Sequence, residues 1–231
     1  MTLAFFNFIF LGVEYLYDNM MAYVNDAEGV VLAESYILGA SFWGFLLFPV
    51  LDKKITKSNK SIVSFIGALV GIICVFVIWQ HGSYISILLC GCLLFVVLGI
   101  FGASVHYKIS MVIEDKKHLA KSIGIAYAMG ILLQFISNNL IVNDMIESIF
   151  LAVSLAVFVI LLIKTEGYMP SNKENNINRR EEEEDKGIKI KNPVVAEITI
   201  VGTVILMSCI FSTLNISVTY VHAGGSVDIG Q

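Results

Sequence analysis

YISILLCGCLLFVVLGIFGASV, residues 84–105, runs for 22 residues without a charged side chain. A helix of that length rises roughly 30 Å, the thickness of the hydrocarbon core of a bilayer. An open chain in lipid cannot leave its amides and carbonyls unpaired, and the stretch lacks the period-two alternation of a barrel strand, so it reads as a transmembrane helix. His106, Tyr107 and Lys108 follow it directly, whereas the polar break on its other side, residues 80–84, holds no Lys or Arg.

The same asymmetry repeats outward in both directions. All 15 Lys and Arg residues fall within residues 53–60, 108–121 and 164–191, and the intervening breaks at 25–29, 80–84 and 142–144 contain none. A chain inserted under the positive-inside rule segregates its cations in this way. Seven apolar segments emerge, at 3–24, 29–51, 61–80, 84–105, 119–141, 145–164 and 194–220. The chain is 57% hydrophobic and 15% charged, with a mean hydropathy of +0.80, against roughly 25% charged residues in a soluble domain. The expected fold is an all-α integral membrane protein, a polytopic helical bundle of about seven spans. It would be multi-pass in the cell membrane, with the N-terminus cytoplasmic and the C-terminus of the chain outside. Glu14 and Asp18 make the first segment the weakest span, but the orientation of the other six does not depend on it.

Residues 165–193 are polar and include RREEEEDK at 179–186, so they read as a charged cytoplasmic linker. The expected organisation is a six-helix half at 1–164, this linker, and at 194–231 a seventh span with a short outer tail that starts an incomplete second half. No basic leader with a small-residue cleavage site precedes the first segment, which is therefore expected to stay as an anchor. Cys74, Cys90, Cys92 and Cys209 lie inside apolar runs and read as packing residues.

Polar side chains inside the spans mark the candidate site. Asn7, Glu14, Asp18 and Asn25 share a stripe about 40° wide on the first segment, with Tyr17 beside Asp18. A carboxylate at midspan depth is costly unless hydrated, paired or protonated, and no other span offers a Lys or Arg. Tyr127, Gln134 and Asn138 share a face of the fifth segment, Glu34 and Ser41 one of the second, and Asn215 is the deepest strong hydrogen-bonding group of the seventh. Together these stripes favour an aqueous cavity that binds a small molecule or an ion, with Glu14 the most sensitive residue.

Enzymatic motifs are weak. Gly102-Ala103-Ser104 lacks the following glycine of a nucleophile elbow, and His106 has no identifiable partner in another span. The four histidines show no metal-ligand spacing, and there is no phosphate-binding glycine loop. The expectation is a non-enzyme with no metal, no cofactor and no nucleic-acid partner, in contact with the lipid bilayer.

Six spans, a charged linker and a seventh span resemble the opening of a major facilitator superfamily transporter. Phe48-Pro49-Val50-Leu51-Asp52-Lys53-Lys54-Ile55-Thr56-Lys57 resembles that family's loop between spans two and three, keeping the charges at Asp52, Lys53 and Lys57 but neither glycine. The resemblance implies a conformational-gating role for those three residues, and secondary transport of a small solute, with or without a coupling ion, by alternating access. It also implies that five helices of a twelve-span protein are missing. The alternative is a seven-span sensor or interaction module without transport.

Overall fold

The computed structural model describes residues 1–55, 57–113, 116–141, 143–166 and 220–221. Six helices follow one another: α1 (Thr2–Ala22), α2 (Ala27–Lys54), α3 (Lys57–Trp79), α4 (Tyr84–Val112), α5 (Lys116–Leu140) and α6 (Asp144–Glu166), with no strand among the described residues. Five helices are long and apolar enough to cross a membrane: Ala27–Lys54, Asn59–Trp79, Tyr84–Val112, His118–Leu140 and Asp144–Thr165. The protein is a polytopic helical membrane protein. The expected seventh span at 194–220 and the linker lie almost wholly outside the described residues.

Side-chain chemistry sets the helix ends. Asp26 caps α2 by accepting from the Gly29 amide at 2.9 Å, and Ser83 caps α4 by accepting from the Ser86 amide at 3.3 Å. Lys53 and Lys54 close α2 at the end where the backbone dipole favours cations. On the side without Lys or Arg, Tyr23 ties three connections together. Its hydroxyl donates to Asp144 at 3.3 Å and its ring stacks on His81 at 5.1 Å. The Asp144 carboxylate beside it raises the Tyr23 phenol above its ordinary value. At the other side Lys108 at the end of α4 donates to the Leu162 carbonyl near the end of α6. The cations of one end and the acids of the other are therefore separated in space as they are along the chain.

α1 is the central helix, packing on α2, α3, α4 and α5. Leu3, Ile9, Val13, Leu16, Tyr17 and Met20 are each at most 1% exposed. Its polar side chains give it too little hydropathy to count among the five apolar spans, and its central position keeps them off lipid. The lipid face is supplied by the other helices, where Phe42, Trp43, Phe65, Ile85, Leu89 and Phe135 are all at least 60% exposed. α6 covers the bundle through Phe158, whose ring lies 5.8 Å from Phe6 and 5.9 Å from Phe101.

Helix association inside lipid relies on close packing, since apolar contact with lipid tails is already available to each helix. α2 and α4 make the most intimate pair. A Cβ on Gly99 would meet the Ser41 carbonyl and come within 3.0 Å of Gly44 Cα, and a Cβ on Gly44 would meet the Val96 carbonyl and come within 3.0 Å of Gly99 Cα. The two backbones touch there, and only glycine permits it.

Candidate functional site

Gly102, one turn above His106 on α4, has no side chain, and the rings of Phe6 from α1 and Phe45 from α2 fill that space. His106 comes next along the same face, its ring 6.1 Å from that of Phe45 and 6.1 Å from that of Tyr127 of α5. His106 Nδ1 lies 2.7 Å from the Gly102 carbonyl, and Nε2 lies 3.0 Å from the Tyr127 hydroxyl. A carbonyl oxygen only accepts, so Nδ1 carries the hydrogen and Nε2 of the neutral ring is left as an acceptor for the Tyr127 O–H. The backbone thus holds the imidazole in one tautomer with its basic nitrogen directed at α5.

The pair lies at the edge of the α4–α5 contact. His106 is half-buried and Tyr127 is 42% exposed. Lys108, two residues on, donates to the Leu162 carbonyl of α6, and the exposed Lys121 lies toward the same end of the bundle on α5. A neutral histidine with an available Nε2 can accept a proton from a hydroxyl as it attacks an electrophile, and a phenol O–H beside it can donate to charge developing on oxygen.

The residues expected to form one cavity occupy two places. Asn7 and Gln134 are buried between α1 and α5, where Gln134 Nε2 donates to Asn138 at 2.6 Å and Asn7 Cβ abuts Gly130. Tyr17 and Asp18 lie at the far end of α1, with Glu34 of α2 and the half-buried Glu14 within electrostatic reach of Asp18. A straight stripe on α1 divides because α5 borders its first half and α2 its last. Asn215 lies outside the described residues. Asp52 forms an ion pair with Lys60 across the α2–α3 turn, Lys53 is exposed, and the Lys57 side chain lies outside the described residues.

No spacing in the sequence joins His106 to Tyr127, and the sequence identifies no partner for His106 in another span. The structure supplies that partner 21 residues away on the next helix. The available signal was weak: Tyr127 sits two turns before Gln134, on a face of α5 that the two share with Asn138.

Residues 2–173 match the family described as "Acyltransferase domain". No curated protein and no solved structure matches the chain. The family match overturns the resemblance to the major facilitator superfamily and the transporter reading built on it. The expectation of a non-enzyme, which the sensor alternative shared, is overturned by the same match. The physical reason is that Lys-rich loops between apolar spans arise in any polytopic protein that obeys the positive-inside rule. Asp52 with Lys53 and Lys57 therefore carries no family-specific information.

Proposed function

The chain belongs to the acyltransferase-domain family, and from that premise we propose that it transfers an acyl group to a hydroxyl acceptor at the membrane, with His106 as general base. The observation that carries this reading is the His106 geometry: Nδ1 occupied by the Gly102 carbonyl and Nε2 held as an acceptor toward Tyr127. The acceptor hydroxyl takes the place of the Tyr127 O–H at Nε2 and gives up its proton there as its oxygen attacks the acyl carbonyl. Tyr127, released from Nε2, donates to the oxyanion that forms. Collapse of the intermediate breaks the bond to the donor's leaving group, which takes the proton from the imidazolium. The basic end of the bundle, with Lys108 and Lys121, attracts an acyl donor that carries negative charge.

Membranes containing the full chain, supplied with a radiolabelled short-chain acyl thioester and a panel of hydroxyl acceptors, should accumulate alkali-labile ester label above vector-only membranes. Label that stays at the vector level with every acceptor, or that resists alkali, would remove the ester-forming reading.

The Lys-rich end is assigned to the cytoplasm, which places the N-terminus inside. In intact cells an impermeant thiol reagent should modify a cysteine placed at Ser83 and spare one at Ser58. The reverse pattern would invert the topology.

A further inference from the structure

A hydroxyl is a weak nucleophile until a base takes its proton, and the base works best when a third group fixes its orientation. Both conditions are met at Tyr127 before any substrate enters. Its hydroxyl lies 3.0 Å from His106 Nε2, while the Gly102 carbonyl lies 2.7 Å from Nδ1 of the same ring. With the ring hydrogen on Nδ1, the hydrogen of the other bond comes from the phenol, so the Tyr127 O–H already donates to a basic nitrogen. Nucleophile, base and orienting group stand in a row across α5 and α4.

Other tyrosines lack this arrangement. Tyr23 also lies against a histidine, but its ring stacks on His81 at 5.1 Å and its one O–H donates to Asp144, so no imidazole nitrogen receives that proton. Tyr17 is 0% exposed, whereas Tyr127 is 42% exposed.

We propose that Tyr127 is a site of self-acylation, its hydroxyl taking the acyl group as an aryl ester when a donor arrives without an acceptor. The native donor, an acyl thioester, is taken from the acyl-transfer reading on which this step rests. The phenol proton passes to His106 Nε2 as Tyr127 Oη bonds to the acyl carbon. The carbon–sulfur bond breaks, and the leaving thiolate takes the proton from the imidazolium and departs as a thiol. Acyl-Tyr127 has no O–H for an oxyanion, so a chain that acylates itself is slowed until the ester is cleaved. An acceptor that already occupies Nε2 displaces the Tyr127 hydroxyl from its base and suppresses the step.

The test uses p-nitrophenyl acetate, an activated ester that demands no native donor or acceptor; here p-nitrophenol leaves in place of the thiol. The full chain in detergent, treated with it and digested, should carry one acetyl group on Tyr127 that hydroxylamine removes. His106→Asn should form this adduct about 10²- to 10⁴-fold more slowly, the contribution of a positioned base. Tyr127→Phe should not form it, and the His106→Asn comparison stands by itself should that variant fail to fold. Acetylation confined to Lys or Cys side chains, or an adduct that forms as fast in His106→Asn as in wild type, would overturn the proposal. The two readings fail separately. An adduct on Tyr127 in a chain that esterifies no acceptor supports self-acylation and removes transfer, whereas ester formation in membranes by a chain whose Tyr127 stays unmodified overturns self-acylation alone.

Discussion

His106→Asn is expected to lower the rate of acyl transfer by about 10²- to 10⁴-fold, the range supplied by a positioned general base. The asparagine amide can still donate to the Gly102 carbonyl, as His106 Nδ1 does at 2.7 Å, so the local backbone keeps its partner. What is lost is the basic nitrogen beside Tyr127. The loss belongs in kcat, since proton removal develops only as the acceptor attacks. Tyr127→Phe keeps the base and removes the donor to the oxyanion, and should cost about 10²-fold, again in kcat. The measurement is initial rate against acceptor concentration in membranes with matched protein levels. A His106→Asn enzyme within threefold of wild type would mean that the base is elsewhere, and a change confined to KM would leave His106 and Tyr127 as acceptor-binding residues only.

The helices were legible because two signals, apolar length and the segregation of Lys, report directly on lipid and on the membrane potential. The arrangement of the helices relative to one another was much less so. Apolarity says which faces meet lipid, but five helices here are apolar enough to span, and only the polar stripe of α1 hinted that this segment takes the centre. Glu34 was visible as a polar position on α2, yet its coupling to Asp18 depends on the α1–α2 packing. The partnership of His106 with Tyr127 depends on the register of α5 against α4, which no spacing within either helix encodes. The resemblance to a transporter failed for a related reason, because it rested on helix count and loop charge, properties that insertion imposes on many unrelated membrane proteins.

Gly99 shows the other side of that dependence on packing, and its substitution should have the largest effect on stability. At Gly99 the atoms within 3.0 Å of an added Cβ are the Ser41 carbonyl group and Gly44 Cα, all backbone, so no side chain can turn aside to make room. Gly99→Ala must push α2 and α4 apart, at about 1–3 kcal/mol. Gly99→Val should lie at or above the top of that range, because its branched side chain lengthens the wedge. Gly39→Ala is the control: nothing lies within 4 Å of a Cβ there, and alanine is the better helix former, so Tm should stay level or rise. Separation of α2 from α4 also draws Phe45, adjacent to Gly44, away from His106. Acyl transfer should therefore fall in Gly99→Ala even at temperatures where the protein remains folded. Thermal unfolding of the three variants in detergent, paired with the transfer assay at low temperature, reads both effects. A Gly99→Ala protein that melts with wild type would show that the α2–α4 crossing is looser than the contacts at Ser41 and Gly44 require. Normal transfer in a destabilised Gly99→Ala would separate the helix crossing from the chemistry at His106.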